Sequence, residues 1–171
     1  MAKSTENRHE TIVHPLEPLY REDSKILILG SFPSVKTREY GFFYGHPQNR
    51  FWPLMEALFY ERLSTEIAER RAFLLAHHIA VFDSIYQCDI IGSGDASIKN
   101  VVPSDLKPIF ETADIRRVFC NGATSYKYYK KYHADKSGIP GVKLPSTSPA
   151  NARYRLDDLE KAWSAIRAYV E

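Results

Sequence analysis

Short apolar runs alternate along this chain with longer segments whose apolar residues recur at helical spacing. The runs have the length and β-branched content of buried parallel strands, and they cover residues 25–30, 79–84, 116–120 and 141–144. Helical spacing predicts helices over residues 49–60, 63–77 and 157–170. The alternation predicts an α/β fold with three αβα layers, in which helices cover both faces of a central four-stranded parallel sheet.

The segments between these elements have weaker patterns. Residues 1–11 are typical of a flexible arm, and the prolines within residues 14–19 favour extended backbone. Residues 89–102 are polar and contain glycine, which predicts a loop long enough to serve a function. Residues 104–110 are expected to form a short helix capped by Ser104. The 171 residues fit a single domain, 1–171.

The loops after the four strands are predicted to meet at one site, because ligands bind beyond the carboxyl ends of parallel strands. These loops read GSFPS from residue 30, DSIYQ from residue 83, NGATS from residue 121 and PSTSPAN from residue 145. The third loop leads into a helix rich in Tyr and Lys. Asp83 carries the one carboxylate in the four loops and could accept a hydrogen bond from a ligand. Capping of the next turn is the alternative role.

Composition argues against several classes of protein. Hydrophobic residues make up 44% of the chain, which is typical of a globular protein. No stretch approaches the roughly 20 apolar residues of a membrane span, and the first ten residues lack the apolar core of a signal peptide. Two cysteines are too few for a disulfide framework, so we expect a cytoplasmic protein. The spacing of cysteines and histidines matches no common metal site, and we expect no metal and no cofactor.

The net charge of +2 is weaker than that of many nucleic-acid-binding proteins. It does not exclude DNA as a ligand, because backbone amides and hydroxyl groups can hold phosphates without a large net charge.

Residues 30–52, GSFPSVKTREYGFFYGHPQNRFW, form the first segment with chemical content. Gly30 allows a sharp turn off the strand, and Pro33 stiffens the chain after that turn. The residues alone leave two structural interpretations open. Asn49 is well suited to cap a helix, and the aromatic residues 42–44 are suited to a hydrophobic lid.

Residues 144–153, LPSTSPANAR, form the second segment. Small hydroxyl residues between two prolines make a rigid loop that can offer N–H and O–H groups to a phosphate. Taken alone, the segment is more typical of an ordinary Ser/Pro turn before the last helix.

Together the two segments resemble the uracil-DNA glycosylase superfamily, most of all its mismatch-specific uracil/thymine branch and its deoxyinosine (hypoxanthine) branch. HPQNRFW lies at a distance from Gly30 that is similar to that in the mismatch branch. That branch carries a water-positioning Asn in a first motif G-x-N-P, where this chain has Phe32. The deoxyinosine branch looks closer, with GS-x-PS, a tyrosine-rich segment, an Asn before FW and LPSTSPANA. Its resemblance implies that Asn49 is the catalytic residue.

The resemblance implies a uracil-DNA glycosylase-like fold and a monofunctional DNA glycosylase. Such an enzyme hydrolyses the N-glycosidic bond of a deaminated base in base excision repair; the expected base is hypoxanthine, and uracil is a further candidate. The implied partner is DNA that contains a deaminated base, bound by a monomer and flipped out of the duplex. No lysine is placed as an obvious Schiff-base nucleophile, so we expect base release without strand cleavage.

The implied roles can be carried onto this sequence residue by residue. Asn49 would position the attacking water, and His46 is a second catalytic candidate that would polarise the base. Tyr44 is expected to stack on the flipped base, with Phe32 as the opposite wall.

Two residues after the second strand, Asp83 and Ser84, are expected to read the edge of the base. The candidates for holding phosphates and wedging the duplex are polar residues and one glycine in the strand-end loops: Ser34, Ser146, Ser148, Asn151, Arg153, Asn121 and Gly122.

Two other functions remain open at this point. The first is a mismatch-specific uracil/thymine DNA glycosylase that has moved its catalytic Asn. The second is a non-catalytic α/β module that binds nucleic acid. The polar candidates Asn49 and Asp83 favour an enzyme over such a module.

Overall fold

Parallel strands form the centre of the molecule in the computed structural model, which describes residues 8–171. The described residues contain seven strands: β1 (Glu10–Val13), β2 (Ile26–Gly30), β3 (Ile79–Asp83), β4 (Ile85–Ile90), β5 (Lys99–Pro103), β6 (Arg117–Asn121) and β7 (Gly141–Leu144). Four of them form a fully parallel sheet in the order β3-β2-β6-β7. The predicted four-stranded parallel sheet is confirmed, with strand ends within one residue of those expected.

Helices flank this sheet and complete the predicted three-layer α/β fold. Within the described residues they are α1 (Val35–Tyr40), α2 (Phe51–Phe59), α3 (Ile67–Ala76), α4 (Lys107–Thr112), α5 (Ala123–Tyr132), α6 (Ala134–Ser137), α7 (Leu156–Trp163) and α8 (Arg167–Val170). The helix predicted over residues 63–77 begins later, at Ile67, and a 3-10 turn at Ser164–Ile166 interrupts the predicted last helix. No helix in residues 8–171 is long and apolar enough to cross a membrane.

The core explains why the central strands are so apolar. Every residue of β2 and β3 is buried, because helices cover both faces of a parallel sheet. Helix α2 turns Phe51, Trp52 and Leu54 inward, and the ring of Phe51 meets Trp163 of α7 edge-on at 6.3 Å. This packing fixes the start of α2 against the core, close to the carboxyl ends of the strands.

A three-stranded antiparallel sheet, in the order β1-β4-β5, differs from the prediction. Residues 10–11 of the predicted arm and much of the predicted loop at 89–102 lie in its strands, whereas residues 1–7 of the arm lie outside the described residues. Strands β1 and β5 are mostly exposed, and the pairing of β4 with β5 contains register shifts. Neither strand therefore shows the apolar run on which the sequence prediction relied.

The predicted helix cap at Ser104 is wrong. Helix α4 begins at Lys107, with Leu106 at the N-cap position and Pro108 in the first turn, where proline is favoured. The backbone N–H of Ser104 donates to the carbonyl of Ser84, which continues the pairing of β4 with β5. Ser104 is buried, and within the described residues its hydroxyl makes no hydrogen bond.

Candidate functional site

A cleft of about 830 Å³ opens at the carboxyl ends of the parallel strands. Each of the four strand ends and the loop that follows it contribute to its lining, through Gly30 at the end of β2, Asp83 at the end of β3, Asn121 at the end of β6 and Ser146 after β7. The predicted meeting of these loops at one site is confirmed. The segment between α1 and α2 supplies a further wall that includes Tyr44.

Asn49 lies on this further wall, two residues before α2 begins. Its Oδ1 accepts a hydrogen bond from the backbone N–H of Phe51 at 2.9 Å. Because a backbone N–H can only donate, the oxygen of the amide must face it, which leaves Nδ2 as the free end. The cap-like bond uses one lone pair of Oδ1. The structural and catalytic interpretations of Asn49 are therefore compatible, since the second lone pair and Nδ2 are available to a ligand.

His46 lines the same cleft. Its Nδ1 accepts a hydrogen bond from the backbone N–H of Gln48 at 3.0 Å, so the ring proton is carried by Nε2. This contact fixes the orientation of the ring and leaves Nε2–H as a donor. The expected role in polarising the base stays a prediction.

Two aromatic candidates, Tyr44 and Phe32, also line the cleft. Tyr44 has a left-handed backbone conformation, with φ of 56°, and its ring stacks on Phe51 at 4.0 Å between centroids. One face of the Tyr44 ring is thus covered by the core, which leaves the other face for a ligand. Phe32 is only 8% exposed, and its ring packs edge-on against His14 at 5.8 Å.

The hydroxyl of Tyr44 is buried at the bottom of this arrangement. Within residues 8–171 it makes no hydrogen bond of good geometry, although the amide of Asn121 lies nearby. Burial, reinforced by the negative charge of Asp83, raises the pKa of Tyr44 far above its usual range. The side chain therefore stays a neutral phenol that can donate a hydrogen bond.

Asp83 is 5% exposed, and its carboxylate leans over Gly30 of the neighbouring strand. A Cβ atom added to Gly30 would lie 2.3 Å from Asp83 Oδ1, so only glycine leaves room for the carboxylate. The other oxygen, Oδ2, lies 2.7 Å from Nε2 of His14. His14 was not among the predicted site residues, because its segment carries only an extended-backbone signal and reaches the site through the pairing of β1 with β4.

Ser84 does not line the cleft, contrary to the expectation that it reads the base. It is fully buried, and its hydroxyl donates to the carbonyl of Ser125 at 3.4 Å. Its own carbonyl lies 3.0 Å from Nε2 of His133. Successive side chains of an extended segment point to opposite sides, so Asp83 and Ser84 cannot both face the cleft.

Asn121 and Gly122 line the cleft and also hold the second segment in place. The amide of Asn121 donates to Thr147 Oγ1 and accepts from the Thr147 backbone N–H, both at 3.0 Å. Gly122 has φ of 97°, and a Cβ atom there would lie 3.0 Å from Cβ of Ser146. These contacts give both residues a structural role, and a direct contact with DNA stays a prediction.

The loop after β7 is shaped by its own side chains. The hydroxyl of Ser146 accepts from the N–H of Ser148 at 3.1 Å, and the hydroxyl of Ser148 accepts from the N–H of Ala150 at 3.2 Å. The amide of Asn151 donates to the Ser146 carbonyl at 3.0 Å. The two serines use oxygen lone pairs in these turns, so their O–H groups remain able to donate to a phosphate.

The remaining candidates, Ser34 and Arg153, differ in whether their polar groups are already used in hydrogen bonds within the protein. The hydroxyl of Ser34 caps α1 by accepting from the Thr37 N–H at 3.1 Å, and it also donates to Thr37 Oγ1 at 3.0 Å. Its polar capacity is thus largely used within the protein. Arg153 is exposed and lines the cleft together with Lys143, a cation that was not among the predicted site residues.

A second carboxylate, Asp95, lies in the cleft and was not anticipated. The hydroxyl of Ser31 donates to both of its oxygens, at 3.2 and 3.3 Å. Burial of the carboxyl group raises the pKa of Asp95, and the charge of Asp83 adds to this effect, while the Ser31 hydrogen bond opposes it. Within residues 8–171, no three His, Cys, Asp or Glu side chains are grouped so as to hold a metal ion.

Arg50 joins the two segments that carry the motif resemblance. Its guanidinium donates to the carbonyls of Ser148 at 2.8 Å and Asn151 at 3.0 Å, and also to the carbonyl of Tyr154. Its backbone N–H donates to the carbonyl of Thr147 at 3.0 Å. One side chain beside Asn49 therefore holds the loop after β7 against the start of α2.

Replacing Arg50 with alanine is expected to lower the free energy of unfolding by about 2–3 kcal/mol, because several hydrogen bonds from one charged group are lost together. Urea denaturation checks the stability, and titration with duplex DNA checks the affinity, which should also fall. Arg62→Ala is the matched control, since Arg62 is exposed and lies outside the cleft lining, and it should leave the DNA affinity unchanged and change unfolding by no more than about 0.5 kcal/mol. Equal stability of the two variants would show that Arg50 does not hold the loop.

Comparison with known proteins identifies the family of this chain independently of the geometry of the cleft. A family model for the uracil DNA glycosylase superfamily matches residues 17–167, which is most of the chain. The chain belongs to the uracil DNA glycosylase superfamily. The predicted family is thereby confirmed, and so is the prediction of a DNA N-glycosylase.

Named relatives cover nearly the same range. A protein of Methanosarcina acetivorans named hypoxanthine DNA glycosylase is 31% identical over 147 residues, which is 85% of this chain and 91% of the relative. A protein of the same name from Methanosarcina barkeri is 30% identical over 152 residues, with coverage of 86% and 92%.

The fold of this glycosylase is also found among solved structures. The solution NMR structure of a candidate uracil DNA glycosylase from Methanosarcina acetivorans superposes with a TM-score of 0.77 at 27% identity. The match covers 94% of this chain and 100% of that protein. The predicted uracil-DNA glycosylase-like fold is confirmed.

Proposed function

We propose that this protein is a hypoxanthine DNA glycosylase, which hydrolyses the bond between the deaminated purine and its deoxyribose. The observation that carries the proposal is that the cleft has no amide at the first-motif position and has one at Asn49. Phe32, at the place of the first-motif Asn, is a buried ring, whereas Asn49 in the segment before α2 supplies an amide to the cleft. The names of the two Methanosarcina relatives support the same substrate.

The cleft suits a base that has been flipped out of the duplex. Its volume of about 830 Å³ lies in the range of ordinary small-molecule sites. Stacking on the free face of Tyr44 would contribute about 1–3 kcal/mol toward the cost of unstacking the base. Asp83 Oδ1 would then accept the ring N–H that hypoxanthine and uracil both carry.

The role proposed for Asn49 is to position the attacking water. In the reaction the bond from C1′ to N9 lengthens, positive charge spreads over the sugar, and negative charge develops on the base. A water held by the free lone pair of Asn49 Oδ1 would attack C1′ as the bond to N9 breaks, and the proton that this water loses would end on the released base. The His46 Nε2–H is a donor that would stabilise the charge on the leaving base.

The rim of the cleft is suited to the phosphates around the flipped nucleotide. Arg153 and Lys143 supply positive charge, and the hydroxyls of Ser146 and Ser148 can donate hydrogen bonds. Action as a monomer in the cytoplasm, without strand cleavage, stays a prediction.

The test is base release from four duplexes that differ in one nucleotide: inosine, uracil, thymine or xanthine. Alkali converts the resulting abasic sites to strand breaks, and a parallel sample without alkali reports direct strand cleavage. We expect breaks with inosine, and only after alkali. Borohydride trapping tests whether Lys143 forms a Schiff base with the sugar. An enzyme that becomes covalently linked to DNA under these conditions would contradict hydrolysis by water. Failure to release hypoxanthine from the inosine duplex would refute the proposal.

A mismatch uracil glycosylase is the second candidate, favoured by the spacing of HPQNRFW from Gly30. If the pocket is shared with that branch, Phe32→Asn should raise the rate of uracil release by about tenfold, which is part of what one placed amide contributes. Single-turnover rates on a U·G duplex measure this. Phe32→Leu is the control, because it removes the ring without adding an amide. No gain in Phe32→Asn over Phe32→Leu would count against the shared geometry.

A further inference from the structure

His14 and Asp83 form a buried pair at the inner end of the cleft. The side chain of His14 is fully buried and that of Asp83 is 7% exposed, with 2.7 Å between Nε2 and Oδ2. Aromatic rings surround the imidazole, with centroids of Phe82 at 4.8 Å, Phe32 at 5.8 Å and Phe43 at 6.3 Å. A polar pair buried among rings is costly, and apolar side chains of similar volume are often as stable. Stability alone therefore does not account for it.

The hydrogen bonds of His14 determine where its proton lies. The backbone N–H of Leu16 donates to Nδ1 at 3.1 Å, so Nδ1 presents its lone pair. The proton must then lie on Nε2, which donates to Asp83 Oδ2. The backbone of residue 16 thus selects the tautomer, and the imidazole serves as a fixed donor to one oxygen of the carboxylate.

This arrangement leaves the other carboxylate oxygen for a ligand. Within residues 8–171 no group donates to Asp83 Oδ1, which lies over Gly30 near the Tyr44 hydroxyl and borders the cleft. Rotation of the carboxylate would break the hydrogen bond between His14 and Oδ2, so this bond favours one direction for the lone pair of Oδ1.

We propose that His14 is a positioning residue for base selection, which holds Asp83 so that Oδ1 accepts the N1–H of a 6-oxopurine. The inference rests on the proposed function and deepens it. Adenine carries a lone pair at N1, where hypoxanthine carries a proton, so a fixed carboxylate attracts hypoxanthine and repels adenine. A site built to bond an N–H group discriminates strongly against a base that lacks it.

The experiment compares two duplexes, one with deoxyinosine and one with deoxynebularine, whose purine base has neither the N1–H nor the oxo group. Three variants are measured beside the wild type. His14→Phe keeps the aromatic volume without the donor, and His14→Gln keeps a donor near the place of Nε2. His77→Phe is the matched control, because His77 also pairs with a carboxylate, Glu61 at 2.8 Å, and packs on phenylalanine rings outside the cleft.

In His14→Phe, kcat/KM for inosine should fall about 10- to 100-fold, as expected for a hydrogen bond to a charged group, while that for nebularine should not fall, because its N1 carries a lone pair that gains nothing from the fixed carboxylate. His14→Gln should recover most of the preference for inosine, and His77→Phe should keep all of it. An equal loss on both substrates in His14→Phe, or an unchanged preference, would overturn the inference. Failure of the proposed function is a separate result, since the wild type would then release no hypoxanthine.

A measurement on the unaltered protein covers the case in which His14→Phe does not fold. Long-range ¹H–¹⁵N spectra of the wild type distinguish the two imidazole tautomers. We expect His14 to be protonated at Nε2 alone, with its signals shifted when an inosine duplex binds. A proton on Nδ1, or signals unaffected by the duplex, would contradict the proposed role.

Discussion

Asn49→Ala is expected to lower the single-turnover rate of hypoxanthine release by about 10²- to 10³-fold, or about 2.7–4 kcal/mol in the barrier. The reason is the loss of a preorganised amide whose oxygen is already oriented by the N–H of Phe51. Release of free base from an inosine duplex, with enzyme in excess, measures the rate without interference from product dissociation.

Asn49 also supports the start of α2, so the control must separate activity from folding. Loss of the bond to Phe51 should lower the free energy of unfolding by only about 1 kcal/mol, as for other helix-start side chains. Gln48→Ala alters the exposed neighbour in the same motif and should leave the rate near that of the wild type. A rate in Asn49→Ala within about fivefold of Gln48→Ala would remove Asn49 from the mechanism, because it falls far short of the loss expected for a placed amide.

Gly30→Ala is expected to reduce the rate of base release by about 100-fold or more. The added Cβ would lie 2.3 Å from Asp83 Oδ1 and 3.2 Å from the Tyr44 hydroxyl, so the carboxylate must move from its position. The site would then lose the hydrogen bond proposed between Asp83 and the base, and crowding at the end of β2 should destabilise the fold by about 1–3 kcal/mol. Single-turnover kinetics and thermal unfolding measure the two effects.

Gly94→Ala provides the comparison for this variant. A Cβ atom on Gly94 would meet only ordinary contacts, the nearest being the Ile91 carbonyl at 3.4 Å, and its φ of −78° suits any residue. Its rate should therefore stay close to that of the wild type. If Gly30→Ala behaves like Gly94→Ala, Asp83 does not need its present position.

The central part of the fold was predictable because its signals are local. The runs that became β2 and β3 are buried at every position and that of β6 at all but its first residue, and such runs are visible in the sequence without knowledge of their partners. The edge strand β7 is shorter and more exposed. The rule for parallel sheets then placed four loops together, which located the cleft.

The part that was not predicted depends on contacts between distant residues. Strand β1 is short and exposed, and it becomes a strand only through pairing with β4, with Glu10 opposite Ile90. His14 comes directly after that strand and so could not be linked to Asp83 from spacing alone. Asp95 was hidden in a segment expected to be a polar loop. The roles of Asn49 and Tyr44 came from motif resemblance, since their local patterns equally suited a helix cap and a lid.

The most direct test of the central claim is detection of the released base itself. Wild-type enzyme in excess is incubated with a duplex that contains one deoxyinosine, and the free base and the strand are analysed by mass spectrometry. The account predicts free hypoxanthine in an amount equal to intact strands with an abasic site, and almost none with Asn49→Ala. An inosine strand that is bound but recovered unchanged would contradict it.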